Sequence, residues 1–133
     1  MEWKLEVIVL PVADLERAKR FYAEQVGFNV DVDRQITEQF RVVQLTPPGS
    51  GCSVSLVSGY SEMQPGTLKG LQLTVPDVRL ARDQLVDRGV EVSPVRYMDN
   101  GQWRDGHRGP WESFIFFNDP DGNGWAVQER PTS

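Results

Sequence analysis

The sequence predicts an α+β fold built as two tandem βαβββ modules, and three observations predict it. Val12-Ala13-Asp14-Leu15 and Val75-Pro76-Asp77-Val78 open two helical patterns 63 positions apart. Thr46-Pro47-Pro48-Gly49-Ser50-Gly51 and Asp119-Pro120-Asp121-Gly122-Asn123-Gly124 are matching turns 73 positions apart. Apolar, strand-like runs flank both turns, and Pro and Gly between two such runs is hairpin chemistry.

In chain order, the first helix carries Leu15, Ala18, Tyr22 and Val26 roughly on one stripe, the spacing of an amphipathic helix. Asp14 is its expected N-cap, because a short carboxylate accepts the free first-turn N–H groups. Gly27 supplies the left-handed residue that ends it. Strands are expected over 40–45 and 52–57, on either side of the first turn. Asp77, Ala81, Leu85 and Gly89 repeat the helical pattern, and strands over 113–117 and 125–129 surround the second turn. The two offsets differ by ten residues, which fall between Val92 and Ser113. There, 97–111 reads as a polar, Gly-rich loop that nevertheless holds Tyr97, Trp103 and Trp111. A loop of that length inside a compact domain is more often functional or mobile than accidental. The chain thus reads as a single domain over 1–133, with module 1 over about 1–58, a linker over about 59–67 and module 2 over about 68–133.

Composition narrows the function classes. The 133 residues carry 14 Lys and Arg against 19 Asp and Glu, a net charge of −5. A net negative field repels phosphate, so nucleic acid and anionic membranes are poor partners. One cysteine, Cys52, excludes an internal disulfide and any zinc site of several thiolates. No run approaches a membrane span, and the acidic start Met1-Glu2-Trp3-Lys4-Leu5-Glu6 does not suit a signal peptide. The expected location is the cytoplasm.

The two modules, Val12-Ala13-Asp14-Leu15-Glu16-Arg17-Ala18 leading into Phe21-Tyr22, and Asp119-Pro120-Asp121-Gly122-Asn123 before the last strand resemble the vicinal oxygen chelate superfamily. That group spans glyoxalases, extradiol dioxygenases, fosfomycin-resistance enzymes and bleomycin-resistance binding proteins. The resemblance covers nearly the whole chain. It implies curled mixed sheets around a cleft and a homodimer, with modules exchanged between chains as one arrangement. The fold alone does not choose among the family's chemistries.

In the family's metal enzymes, a His or Gln ligand lies seven positions before the helix-capping Asp. A closing-strand ligand, commonly Glu, lies seven after the first Asp of the second turn. Here those positions hold Val7, Gly70 and Ala126, and the repeat mate of Ala126 is Ser53. Val, Gly and Ala offer no lone pair, and a neutral Ser hydroxyl is a weak ligand. A two-residue shift would offer only Gln72 and Gln128. No metal and no cofactor are therefore expected.

Of the remaining chemistry, His107 is the only histidine. It reads as a solvated loop residue, with a general base as the alternative. Cys52 reads as a small buried thiol. Asp31 and Asp33, two apart on a strand, share a face and read as solvated, with an acid–base pair as the alternative. The aromatics are more informative. Phe116 and Phe117 are adjacent on a strand and must point to opposite faces, so one leaves the helix-covered side. By resemblance, that other side lines the cleft.

Trp103, Trp111, Phe114, Phe116 and Gln128 are expected to line or cover it, with Val7, Ser53, Gly70 and Ala126 leaving room. Arg41 and Arg104 would add a cation–π or carboxylate contact. The expected function is a small-molecule binding protein of the bleomycin-resistance type, which sequesters an aromatic or apolar natural product. Two other readings stand beside it. One is a lyase, isomerase or dioxygenase-type enzyme of the same fold, either holding metal through His107, Glu112 and Glu129 or working metal-free by acid–base chemistry. The other is a regulatory module without a small ligand.

Overall fold

The computed structural model describes residues 1–59 and 62–132. It divides into two compact units, Met1–Leu68 with Asp119–Asn123, and Lys69–Asn118 with Gly124–Ser133. Part of the expected linker, Tyr60 and Ser61, lies outside the described residues. Among the described residues no helix is long and apolar enough to cross a membrane.

The first unit holds β1 (Val7–Pro11), α1 (Leu15–Arg20), β2 (Asn29–Gln35), β3 (Arg41–Thr46) and β4 (Ser53–Val57). Asp14 caps α1 by accepting the Arg17 N–H at 3.1 Å. The helix continues as a π-helical segment, Phe21–Val26, until Gly27 at φ 93° ends it. The strand order is β1-β4-β3-β2, with β1 parallel to β4 and the other pairs antiparallel. Alternation sorts the side chains. Leu10, Val43, Leu45, Val54 and Leu56 are buried on the side of Ala18, Phe21 and Tyr22. Val7, Val9, Gln44, Thr46, Ser53 and Ser55 fall on the other side, away from the helix of this unit.

A bulge between Val30 and Val32 corrects the expectation that Asp31 and Asp33 share a face. The extra residue shifts the pleat by one, so the two carboxylates leave the sheet on opposite sides. Asp31 accepts from the Thr46 hydroxyl on the helix-free side. Asp33 accepts from Lys19 of α1 at 2.6 Å.

The turn Asp119–Asn123 is the polar centre of this unit. Asn123 is fully buried. Its Nδ2 donates to Pro11 O at 2.9 Å and Asp119 Oδ2 at 2.8 Å, and its Oδ1 accepts the Leu68 N–H at 3.2 Å. The Tyr22 hydroxyl donates to Asp119 at 2.7 Å. Asp121 accepts from Ala13 N–H and Arg17.

The second unit holds β5 (Leu71–Val75), α2 (Val78–Asp87), β6 (Arg96–Asp99), β7 (Gln102–Asp105), β8 (Phe114–Asn118) and β9 (Gly124–Glu129). Asp77 caps α2 through the Leu80 N–H at 3.0 Å. The order is β5-β9-β8-β6-β7, with β5 parallel to β9. Leu71, Ile115, Phe117, Trp125 and Val127 are buried on the α2 side, together with Val78 and Leu85. Burial of each large apolar side chain contributes about 1.5–3 kcal/mol.

The second sheet departs from the expectation of a long loop over 97–111. Residues 96–105 form a hairpin, β6 and β7, so this module has one strand more than its mate. Asn100 at φ 49° and Gly101 at φ 80° make its two-residue turn, the conformation that Asn-Gly favours because both central residues need positive φ. The strand pattern is hidden because β7 sits at the sheet's edge with all four residues exposed, so nothing demands apolar alternation.

Replacing Asn123 with Ala takes a partner from the buried Pro11 carbonyl and Asp119 carboxylate and from the half-buried Leu68 N–H. The expected loss is at least about 2 kcal/mol, because each unsatisfied buried group costs ~1–3 kcal/mol. Chemical denaturation reads this directly, and an unchanged midpoint would show that the turn does not hold the unit together.

Candidate ligand-binding face

The helix-free side of the second sheet is built from alternate residues. Register pairs Gln72 with Ala126 and Ala126 with Phe116, and in the next row Thr74 with Gln128 and Gln128 with Phe114. Arg96 lies opposite Phe114, and Met98 opposite Trp103. All these side chains therefore share one side. The Trp103 ring stands edge-on to Phe114 at 5.3 Å and to Phe116 at 5.0 Å, and the two Phe rings are parallel at 6.1 Å. These are favoured aromatic geometries, yet Trp103 keeps 43% of its surface exposed and Met98 45%. Phe117 points the other way and stacks on Trp125 at 6.1 Å, buried under α2.

Trp111 lies in the segment before β8 at φ 64°, a left-handed conformation that costs a bulky residue about 1–2 kcal/mol. Two hydrogen bonds hold it there. Its N–H donates to Glu129 O at 2.7 Å, and its carbonyl accepts from Gln128 Nε2 at 2.9 Å. Gln72 Nε2 in turn donates to Gln128 Oε1 at 2.7 Å. Gly70, just before β5, sits at φ 82° with open space where a Cβ would stand.

In the first unit, Val7 and Ser53 are partners in register. Ser53 is buried, its Oγ 2.6 Å from Thr46 Oγ1. Thr46 spends its proton on Asp31, so Ser53 donates to Thr46 and the three form one directed chain.

Several expected residues lie elsewhere. Arg41 is not on the face with Ser53. It shares the parity of buried Val43, on the α1 side, and donates to Asp33 at 2.8 Å and Glu16 at 2.6 Å. Arg104 pairs with Asp99 at 2.8 Å, and the cation–π contact is made instead by Arg108, 4.9 Å from the Tyr97 ring centre. Cys52 is half-buried rather than buried.

His107 lies in an exposed loop, as expected, but its ring is not left to solvent alone. Its Nε2 is 3.0 Å from both Glu129 carboxylate oxygens, and Arg79 reaches its Nδ1 at 3.2 Å. Arginine only donates, so Nδ1 accepts and Nε2 carries the proton given to Glu129. Glu129 also accepts the Val78 N–H at 3.1 Å beside the first turn of α2. The histidine thus satisfies a buried carboxylate on the helix side, opposite the aromatic cluster.

The Glyoxalase/Bleomycin resistance protein/Dioxygenase superfamily model matches residues 4–127. The chain belongs to this superfamily. It is similar to TnmS3, an antibiotic binding protein from Streptomyces sp. CB03234, with 34% identity, 97% of each chain covered and a TM-score of 0.78. It is also similar to a glyoxalase/bleomycin resistance protein from the same Streptomyces strain, with 36% identity, 94% of this chain and 99% of that one covered and a TM-score of 0.74. A superfamily member from Sphaerobacter thermophilus DSM 20745 shows 28% identity, coverage of 97% and 98%, and a TM-score of 0.77. No curated protein matches the chain.

The superfamily's enzymes imply a metal, and these residues do not fit one. Register sets Ala126 against Gln72 rather than Gly70, so the second module offers a methyl group and an amide already bonded to Gln128. The first offers Val7 and a Ser53 hydroxyl bonded to Thr46. The other proposed set fails as well. His107 and Glu129 pair, but Glu112 is exposed beside Arg108 at 4.0 Å. Among the described residues, no three His, Cys, Asp or Glu side chains gather where they can hold an ion. Gln72 belongs to the face and was not among the expected residues. Its signal was the polar alternation of Gln72 and Thr74 along an otherwise apolar strand.

The charge cluster of the first unit has a pH consequence. The hydrogen bonds from Arg41, then Lys19, hold the Asp33 carboxyl far below the usual carboxylate range, and Asp33 with Glu16 holds Arg41 above its own. A depressed folded-state pKa stabilises above the unfolded value, about 3.9 for Asp, and that stabilisation fades as pH falls toward the folded one. Asp33→Asn should lower the thermal midpoint at pH 7 and flatten its decline below about pH 4. An unaltered acid limb would contradict this assignment.

Proposed function

We propose that the protein binds an aromatic or apolar small molecule of the antibiotic class on the helix-free side of its second sheet, and holds it without making or breaking a bond. The observation that carries this reading is the Trp103–Phe114–Phe116 cluster, kept half-exposed on a rigid sheet rather than packed away. Aromatic side chains order at low entropic cost and stack on flat ligands, so a ready-made cluster of them favours such ligands. The likeness to an antibiotic binding protein points the same way.

Titration with bleomycin and with an anthracycline, followed by tryptophan fluorescence, tests it. Trp103→Ala and Phe116→Ala should each weaken binding by at least ~1 kcal/mol, the scale of a lost aromatic contact. Full affinity in both variants would remove this face as the site.

The protein is also proposed to act as a homodimer. Trp3, Leu5, Val7 and Val9 are exposed on the first unit, and apolar surface of this kind marks interaction sites. Sedimentation equilibrium should return twice the chain mass, and a monomer at all concentrations would refute it.

A further inference from the structure

The amide chain from Gln72 through Gln128 to the Trp111 carbonyl runs in one direction only. A backbone carbonyl accepts and cannot donate, so Gln128 must turn its Nε2 toward Trp111. Its Oε1 then faces Gln72, which must answer with Nε2. Reversing either amide sets oxygen against oxygen or abandons Trp111. What remains is Gln72 Oε1, a carbonyl acceptor with no partner among the described residues. It lies at the β5 edge of the sheet, separated from the Phe116 ring only by the methyl of Ala126. Across two strand spacings of ~4.8 Å, a flat molecule of several fused rings can rest on Ala126 and Phe116 and bring one edge to Gln72.

We propose that this one-way amide chain makes the face selective for flat ligands bearing a hydroxyl or N–H donor at one edge, which Gln72 Oε1 accepts. The inference rests on the reading that this face binds ligands. In the free protein Gln72 is exposed, so this carbonyl is open to water. A ligand that covers it with an ether or carbonyl oxygen strands two acceptors together, whereas a donor replaces the lost water. Trp111 supplies the fixed end of the chain, and the same bond holds its left-handed backbone in place. Gln128 is therefore a positioning residue, and Gln72 is the group that touches the ligand.

The test compares 1-hydroxypyrene with 1-methoxypyrene, which share a ring system and differ in one donor, by fluorescence titration at pH 7. The unaltered protein should bind the hydroxyl compound about 5-fold or more tightly, the scale of one hydrogen bond. Gln72→Leu should bring the ratio to about 1. Gln128→Leu should also reduce it, although Gln72 is retained, because the freed amide can then turn either end outward. A merely structural Gln128 would change both affinities and leave the ratio alone. Equal binding of the two pyrenes by the unaltered protein overturns the selectivity and leaves the aromatic face standing. Binding of neither overturns the face and the inference with it.

Discussion

A strand has two sides, and among the described residues each sheet carries its own unit's helix on one of them. That constraint organises everything else. Residues of one parity, from Leu10 and Leu56 in the first sheet to Ile115 and Val127 in the second, are removed from water and supply the hydrophobic stabilisation. Residues of the other parity are released from packing and are free to be chemically specific. The helices earn their positions through Asp14 and Asp77, whose caps set where each one begins.

What occupies the released side differs between the units. The first places a directed chain of Ser53, Thr46 and Asp31 there, a polar arrangement in which every proton has a receiver. The second places Trp103, Phe114 and Phe116 there, with two glutamines beside them. In neither unit do the paired positions offer the imidazole or carboxylate that a divalent ion prefers. Both sheets thus keep the architecture of the superfamily, with a polar chain on the released side of one and an aromatic cluster on that of the other.

Parts of this were open to a reading of residues alone, and the misses have identifiable causes. The helices, the two hairpin turns and the Phe116/Phe117 split follow from local spacing. The β6–β7 hairpin was missed although Asn100-Gly101 signals its turn, because an exposed edge strand carries no apolar alternation. The bulge at Asp31 reverses the side of every residue behind it, and one inserted residue in a polar strand leaves no mark in composition. His107 is exposed in its loop as its polar neighbours suggest, but its ring partner is invisible in the sequence. Its partner, Glu129, lies 22 positions away and is buried only once the second sheet forms.

By itself the sequence determined the repeat, the helix caps and the presence of surplus aromatics, because each is a matter of residue identity or spacing within a few turns of chain. Only the tertiary structure decided which residues stand together. Register sets Ala126 against Gln72 rather than Gly70, sends Arg41 to the α1 side, and joins Gln72, Gln128 and Trp111 into one amide chain. Those outcomes depend on strand pairing between segments tens of residues apart. A one-residue slip there moves a side chain to the other face, and no local preference fixes that choice.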